Sequence, residues 1–407
     1  MNSLIHNLGG GRYDFDVARH RAPAASMGAG GERSLGVGAE SSATGGSYDE
    51  AVVSHIAGLS PEPDATTLEA ADEAERELTR FDAELGGRVA AFAPVLLRSE
   101  AASSSQIENL TASARAIFSA ELGGGTSRNA DEIAANTRAM QAAIDLADDP
   151  SARSIQRMHA VLMERQPRHT PGRWRDEPVW IGTRSDSPVG ASYVAPAHEH
   201  IDDLIADLVR FAGAPSIPPL VSVAVAHAQF ETIHPFSDGN GRTGRALAQS
   251  MLRRRGVTRN VAIPVSAGLL ADVEGYHRAL DAYREGDIAP IIRAFAAASL
   301  RAVRNARQLV EEIDAIRSSW DDRLTVRRSS NAWKLLDVLA RRPVLNSAAA
   351  AAEIGVRQPN VYPPLKALVE AGIAKSKNEH GLGPFWRSDE VLAAIDAFAE
   401  RAGRRSV

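Results

Sequence analysis

A forced break between two predicted helices, near the middle of the chain, constrains the fold most. Residues 218–233 are strongly apolar and have helical spacing, which predicts a helix up to the break. Pro235 cannot continue that helix, because it has no N–H to donate and its ring clashes with the preceding turn. Gly239 and Gly241 then permit unusual backbone angles, and a second helix is predicted over 242–255. The chain must therefore turn within a short loop.

The loop between these helices has the composition of an anion-binding site. Glycines at a helix N-terminus leave backbone N–H groups free to point at a phosphate. Arg242 and Arg245 are three residues apart, so both project from one side of the new helix and can grip phosphate oxygens. Asp238 offers a hard oxygen ligand for Mg²⁺, and His234 can accept a proton near neutral pH. A helical corner with surface charges is the alternative, and any one of these groups alone would favour it.

Residues 234–245 read His-Pro-Phe-Ser-Asp-Gly-Asn-Gly-Arg-Thr-Gly-Arg, which resembles the Fic family signature at every defined position. The resemblance implies a protein adenylyltransferase, which moves AMP from ATP to a Ser, Thr or Tyr hydroxyl of a target protein. His234 would be the general base, and Asp238 would bind Mg²⁺. The resemblance assigns the phosphate contacts to Gly239, Asn240, Gly241, Arg242 and Arg245. The intact Gly-Asn-Gly favours nucleotidyl transfer over the kinase-like activity of the Doc branch.

A second motif lies far upstream. Residues 104–109 read Ser-Ser-Gln-Ile-Glu-Asn, which is similar to the inhibitory pattern of the same family. Ser104 and Glu108 are four apart and share one face of a helix. The resemblance implies that Glu108 pairs with Arg245 in place of the γ-phosphate, while Ser104 and Asn109 steady the segment. A solvated helix face is the alternative for so short a pattern. In some relatives the same Glu helps to remove AMP, so de-AMPylation stays an alternative.

Two other features have less specific patterns. Residues 178–194 contain two short β-prone runs around a turn and predict a β-hairpin. The resemblance places this hairpin as a flap that pairs with the target's backbone, and an ordinary core-covering hairpin is the alternative. Tyr276 lies where relatives often carry an aromatic residue near the adenine, but a buried core tyrosine fits equally well. His227 is interpreted as a structural histidine.

Helical periodicity covers most of the chain, which we interpret as four parts. Residues 1–48 are rich in Gly and Ser and predict a flexible tail. An N-terminal helical region with the inhibitory helix would cover 49–125, and the catalytic core would cover 126–318. A winged helix-turn-helix domain would cover 325–407. Besides the two helices around the break, we predict helices from about residue 66 and near 89–99, 103–121, 130–147, 197–213, 267–285 and 288–317.

The winged-helix prediction rests on three helical segments followed by two short strands. The helices are expected near 331–341, 347–353 and 359–372, with a wing after them. Polar and basic residues on the third helix and the wing suit contacts to phosphates and bases. These residues are Arg357, Gln358, Asn360, Tyr362, Lys366, Lys375, Lys377 and Arg387. Prolines restrict the helix start, and winged helices also serve as protein–protein or dimer modules. DNA binding, including a regulator with a vestigial catalytic core, is therefore an alternative.

Composition limits the partners. The net charge of −5 and the pI of about 6.2 provide no overall positive field for nucleic acid or membranes. The absence of cysteine excludes disulfides, thiolate metal ligands and cysteine nucleophiles, and it fits a reducing cytosol. We see neither an apolar run long enough for a bilayer nor a signal peptide, so a cytoplasmic protein is expected. A homodimer is also expected, because relatives of the resembled family often dimerise.

Overall fold

A computed structural model describes residues 19–23, 47–124, 127–166, 169–182, 187–379 and 382–403. Within these ranges the chain forms fifteen α-helices and seven short strands, so the predicted mainly α class is confirmed. One strand, β1 (Arg19–Pro23), lies inside the predicted flexible tail and pairs antiparallel with β2 (Ser47–Ala51). The other residues of that predicted tail up to residue 46 lie outside the described ranges. None of the described helices is long and apolar enough to cross a membrane.

Side-chain caps set several helix starts in the first half of the chain. Asp64 and Ser113 accept the backbone N–H groups that open the first and third helices. The predicted division near residues 99–103 is wrong, because the second helix continues to Ile107 and the break follows it, before the cap at Ser113. These helices are α1 (Ala65–Glu84), α2 (Val89–Ile107), α3 (Ala114–Glu121), α4 (Arg128–Asp145) and α5 (Ala152–Leu162).

A short hairpin and six helices complete the central part. The hairpin pairs β3 (Trp180–Ile181) with β4 (Tyr193–Val194), as predicted, although its strands have only two residues each. The predicted helix 267–285 is two helices, because Asp272 caps a new start by accepting from Gly275 N. The helices are α6 (Ile201–Ala212), α7 (Pro219–Ile233), α8 (Asn240–Arg254), α9 (Val265–Leu270), α10 (Val273–Arg284) and α11 (Ala289–Arg323).

Helix α7 lies at the centre of this packing, because every residue from 220 to 233 is buried. A helix that is buried on all sides needs apolar residues all round, which explains why its sequence lacks a polar face. Helices α6, α8, α10, α11 and α1 all pack against it. The turn between α7 and α8 therefore begins at the end of a helix that is packed on all sides.

The C-terminal elements alternate helices and strands. They are α12 (Ala332–Arg341), β5 (Val344–Asn346), α13 (Ser347–Ile354), α14 (Tyr362–Glu370), β6 (Lys375–Glu379), β7 (Gly383–Arg387) and α15 (Asp389–Arg401). The strands form one antiparallel sheet in the order β5-β7-β6. The three predicted helices and the two predicted strands are therefore present, while β5 and α15 were not predicted; the winged helix-turn-helix assignment stays a prediction.

These C-terminal elements pack directly on the central helices. Ala114 N donates to Asp396 Oδ1 (3.0 Å), and Asn305 Nδ2 donates to the carbonyl of Phe398 (3.0 Å). The fully buried Trp320 donates its indole N–H to Glu390 Oε2 (2.6 Å). One hydrophobic cluster consequently includes residues from the N-terminal helices, the central helices and the C-terminal elements.

Candidate active site

His234 ends helix α7 with an unusual backbone conformation. Its φ of 50° and ψ of 60° lie in the left-handed region, which a non-glycine residue rarely adopts. In the described part of the chain, the only other non-glycine residue with positive φ is Asn109. Such strain often lies at functional sites, where the surrounding structure enforces it. Both positions belong to motifs found in the sequence.

The surroundings of the His234 ring set its tautomer and charge. Nδ1 lies 3.2 Å from the Glu231 carbonyl oxygen. Because a carbonyl only accepts, Nδ1 carries the proton and Nε2 is left with a free lone pair. Burial lowers the pKa of His234 to about 4, against the raising effect of the Glu231 hydrogen bond. At neutral pH the ring is therefore uncharged and able to accept a proton.

Arg175 and Asn240 hold the loop after His234 in place. Arg175 Nε donates to the His234 carbonyl (2.9 Å). The Asn240 side chain bridges both backbone groups of Phe236: its Oδ1 accepts from Phe236 N (2.9 Å), and its Nδ2 donates to Phe236 O (2.7 Å). Both Asn240 and Phe236 are buried. The Asn240 amide therefore shapes the loop, and only its backbone N–H is left for an anion.

His159 on α5 packs against the loop that follows His234, and nothing in its local sequence indicated that role. Its ring stacks on Phe236 with centroids 3.6 Å apart. Its Nδ1 accepts from Gly172 N (2.9 Å), so its Nε2 carries the proton and donates to the Asp238 carbonyl (3.1 Å). Burial lowers the pKa of His159 to about 4, which keeps this donor–acceptor arrangement in one tautomer at neutral pH.

The N-terminus of α8 lies where the phosphate cradle is predicted. Gly239 has a φ of +75° and precedes the helix without any side-chain cap, so no capping side chain takes up the first-turn N–H groups. Asp238 lies beside them with its side chain 46% exposed, its Oδ2 3.5 Å from His169 Nε2. No group of three His, Cys, Asp or Glu side chains close enough to hold a metal occurs within the described ranges. Asp238 therefore belongs to no such group of three.

Arg242 is buried in the first turn of α8. Its Nη1 lies 3.6 Å from Glu132 Oε2, and its Nη2 lies 3.9 Å from Asp238 Oδ1. Its Nε has no hydrogen-bond partner among the described residues. Glu132 lies on α4 and was not predicted as part of the site. Both carboxylates lie beyond hydrogen-bond distance from the Arg242 guanidinium. Its N–H groups can therefore donate to a further anion.

Arg245 meets the upstream motif, 141 positions away in the sequence. Its Nη2 donates to Glu108 Oε1 (2.8 Å), and its Nε and Nη2 donate to the hydroxyl and the carbonyl of Ser104 (2.9 and 2.8 Å). The Arg245 side chain is 2% exposed, against 40% for Glu108. Burial alone would raise the pKa of Glu108, but the charge and hydrogen bond of Arg245 outweigh it and hold the pKa below its ordinary value.

The Glu108 carboxylate also lies on the cradle itself. A Cβ added at Gly241 would overlap Glu108 Oε1, so only glycine permits this approach. The carboxylate therefore occupies the place at the start of α8 where the helix favours an anion.

Two sequence profiles match this chain. Residues 149–252 match the Fic/DOC family, and residues 68–145 match the Fic/DOC family N-terminal region. This chain carries a Fic/DOC family domain. The predicted resemblance to the Fic family is therefore confirmed, while the bounds 126–318 of the core stay a prediction.

Relatives of this Fic domain have names that state an activity. Protein adenylyltransferase fic-1 of Caenorhabditis elegans is 29% identical over 189 residues, which cover 46% of this chain and 35% of that protein. Protein adenylyltransferase Fic of Drosophila willistoni is 32% identical over 125 residues, covering 31% of this chain and 23% of that protein. The chain thus spans about a third or less of the length of these relatives.

Solved structures of Fic proteins are also similar to this chain. A Fic family protein from Desulfovibrio desulfuricans G20 has a TM-score of 0.46 at 23% identity, covering 77% of this chain and 95% of that chain. Fic-1 (residues 134–508) from C. elegans has a TM-score of 0.44 at 22% identity, covering 61% of this chain and 73% of that chain.

The end of α2 positions Glu108, which lies in the stretch that matches the Fic/DOC family N-terminal region. Asn109 has a φ of 61°, which terminates the helix immediately after Glu108, its C-cap. Asparagine tolerates this left-handed conformation better than most residues. From α4, Asn136 Nδ2 donates to the Ala101 carbonyl (2.9 Å) and to Ser105 Oγ (3.1 Å), which anchors the same turn. The Asn109 side chain is exposed, so in this conformation its observed contribution is to the backbone.

A buried polar cluster of His227, Glu231 and Tyr276 lies next to the Fic signature. The Tyr276 hydroxyl lies 2.7 Å from His227 Nε2, whose distance to Glu231 Oε1 is 3.9 Å. Glu231 Oε1 has no hydrogen-bond partner within the described ranges. Burial raises the pKa of Glu231 to about 7 and lowers that of His227 to about 3. Tyr276 is itself buried, so its contact with an adenine stays a prediction.

The hairpin β3–β4 lies beside the end of α7. The Tyr193 hydroxyl donates to the Thr232 carbonyl (2.5 Å), two residues before His234, and Arg284 lies over the Tyr193 ring at 4.1 Å. Ile181 on the other strand is 45% exposed. The hairpin is therefore anchored next to the proposed base with part of one strand open to solvent. Residues 183–186 of its predicted turn lie outside the described ranges.

Proposed function

We propose that this Fic domain transfers AMP from ATP to a hydroxyl group of a target protein, and that the conformation described above is autoinhibited. One observation carries the proposal: the Glu108 carboxylate bonds to Arg245 and lies against Gly241, at the helix start suited to phosphate. The names of the relatives support the same activity. Productive binding of ATP would require Glu108 to leave.

The reaction follows from the groups around the cradle. Nε2 of His234 would accept the proton of the target hydroxyl while its oxygen forms a bond to the α-phosphorus. The bond from that phosphorus to the bridging oxygen would break, and pyrophosphate would leave. Arg242, Arg245 and the N–H groups of α8 would stabilise the charge on the phosphates, as positioning and charge compensation dominate such transfers.

Asp238 would hold Mg²⁺ if the ion binds. Mg²⁺ in nucleotide sites is usually held by one or two carboxylates together with phosphate oxygens and water. The half-exposed Asp238 beside the cradle fits that requirement, and the ion would neutralise phosphate charge. The other ligands would come from ATP and water.

The test is the transfer of AMP from ATP labelled on its α-phosphate. The variant Glu108→Gly should label added protein or the enzyme itself more strongly than the wild type does. Gln106→Gly is a matched control, because it loosens the same helical turn without removing the partner of Arg245. If Glu108→Gly labels no more protein than Glu108→Gly/His234→Ala does, the proposal fails.

Removal of AMP from a modified protein is an alternative direction at the same site. The partial exposure of Glu108 favours it, because a solvent-facing carboxylate beside the cradle could position a water. In that case Glu108→Gly should abolish the release of AMP from a modified target. Under the transferase proposal the same variant gains activity, so the two directions give opposite results.

A second candidate function is DNA binding by the C-terminal elements α12–β7, read as a winged helix-turn-helix. Six residues assigned to DNA contact are exposed, although the first three precede α14 and do not lie on it as predicted: Arg357, Gln358, Asn360, Tyr362, Lys366 and Lys377. Three cations of the set already have an acidic partner: Lys375 and Arg387 contact Asp389 (2.8 and 2.7 Å), and Lys366 lies 3.5 Å from Glu370. Gel shifts of the full chain at physiological salt test this function. Lys366→Gln should weaken binding and lower the slope of log affinity against log salt concentration by about one, whereas Lys334→Gln on α12 should not.

A homodimer stays a prediction.

A further inference from the structure

A cleft of about 570 Å³ lies between α2, α4, α8 and the loop after α8, next to Arg342 at the end of α12. Neither the signature loop nor the inhibitory motif contributes a residue to its lining. Small-molecule sites usually have volumes of about 300–1,000 Å³. The cleft is therefore a separate candidate site of suitable size.

The charged residues of the cleft leave an excess of positive charge. Four arginines and two carboxylates line it: Arg98, Arg138, Arg253, Arg342, Glu121 and Asp145. Arg98 binds Glu121 through two nitrogens, at 2.8 and 2.7 Å, so this pair is already neutral. Among the lining residues, three arginines then remain with a single carboxylate, Asp145. The charge of the lining itself favours an anion, although the chain as a whole is acidic.

Two of these arginines are incompletely paired. Arg138 Nη2 and Arg342 Nε have no hydrogen-bond partner within the described ranges. Their carboxylate partners lie at long distances: Glu164 is 3.7 Å from Arg138, and Glu353 and Glu121 are 3.5 and 3.7 Å from Arg342. An unsatisfied buried donor is unfavourable, and a small rotation of each long side chain would turn it towards an anion in the cleft.

We infer that this cleft binds a small organic anion, with its acid group on Arg138 and Arg342 and its apolar part on Leu97, Ile144 and Val261. The three apolar residues belong to the same lining, so charge and apolar surface occur side by side. A phosphate or a carboxylate suits the guanidinium groups equally, because both accept two parallel hydrogen bonds. The apolar wall requires the anion to carry a hydrocarbon or aromatic body.

The occupant would touch elements that also form the candidate active site. Leu97 lies on α2, which carries Ser104 and ends before Glu108. Gln249 lies on α8, one turn after Arg245, and also lines the cleft. Binding would therefore stabilise the packing of α2 on α8 and raise the melting temperature of the chain.

Phenyl phosphate is a suitable probe, because it joins one phosphate to one aromatic ring. Isothermal titration of the full chain should show one saturable site, with inorganic phosphate and phenol each binding about tenfold more weakly or worse. Benzoate in place of phenyl phosphate distinguishes a carboxylate site from a phosphate site. The inference is overturned if neither phenyl phosphate nor benzoate binds saturably up to about 10 mM.

Variants locate the bound probe. Arg138→Met should weaken binding about tenfold, as expected for one lost charge-assisted hydrogen bond, while the exposed Arg157→Met on α5 should leave it unchanged. Gln141→Glu adds a negative charge at an exposed position of the lining and should also weaken binding, without disturbing the core. Arg242→Met should leave the site intact. Binding that is lost in Arg242→Met but kept in Arg138→Met would instead belong to the signature loop and refute the inference.

Discussion

Replacing Glu108 by Gln tests the contact between the two motifs while keeping the size of the side chain. The change leaves Arg245 its two bonds to Ser104 but removes the charge of its third partner, 2.8 Å away. A hydrogen bond between charged groups contributes about 1.5–3 kcal/mol. Because Glu108 is 40% exposed, water screens the pair and reduces this contribution towards and slightly below the lower end of that range. The free energy of unfolding at pH 7 should therefore fall by about 1–2 kcal/mol.

Chemical denaturation of both proteins as a function of pH measures this difference. The pKa of folded Glu108 lies below its ordinary value, so the folded state favours the charged form. The stabilisation should be fully present above the unfolded pKa of about 4.5 and lost as the pH falls through the lower folded pKa. Wild type and Glu108→Gln should therefore converge in acid.

Glu370→Gln is the matched control. Glu370 pairs with Lys366 at 3.5 Å, and both side chains are about two-thirds exposed or more. Its loss should cost less than about 0.5 kcal/mol, because exposed pairs on a helix contribute little. If Glu108→Gln destabilises the chain no more than Glu370→Gln does, the proposed strength of the Glu108–Arg245 contact is refuted.

Three further predictions concern the support of the loop, and denaturation measures each. Asn240→Ala should destabilise the chain by about 1–3 kcal/mol, since it leaves both backbone groups of Phe236 unpaired; an unchanged midpoint would contradict this. Gly244→Ala should cost about 1–3 kcal/mol, because its Cβ would lie 2.6 Å from Glu231 Oε1, whereas Gly87→Ala has open space and serves as control. Glu231, whose folded pKa of about 7 exceeds the unfolded value of 4.5, should make wild-type stability fall between pH 4.5 and 7, and Glu231→Gln should remove this slope.

Local sequence signals predicted much of the fold because their causes are local. The end of α7 at His234 follows from Pro235, and the start of α8 follows the glycine-rich loop. The misplaced break in α2 has a local cause as well, since the cap at Ser113 starts a new helix and was not recognised. The strand β5 was missed because three residues provide too little periodicity to identify a strand.

The supporting residues of the site could not be predicted in the same way. His159, Glu132 and Arg175 contact the signature segment from 59 to 110 positions away, and no spacing in the sequence relates them to it. The contacts of the Asn240 side chain with the Phe236 backbone could not be predicted either. An asparagine at this position suits a phosphate contact and a loop-shaping contact equally well.

The order of residues alone establishes which chemical groups are available: a base, a carboxylate, a glycine-rich helix start and two arginines within one short segment, with a second carboxylate far upstream. What these groups contact depends on how the helices pack. The packing of α2 and α4 against α8 brings Glu108 onto Arg245 and against Gly241, and burial of the His234 ring keeps it neutral. Residue types are properties of the chain, whereas burial and contacts between distant positions exist only after the helices have packed.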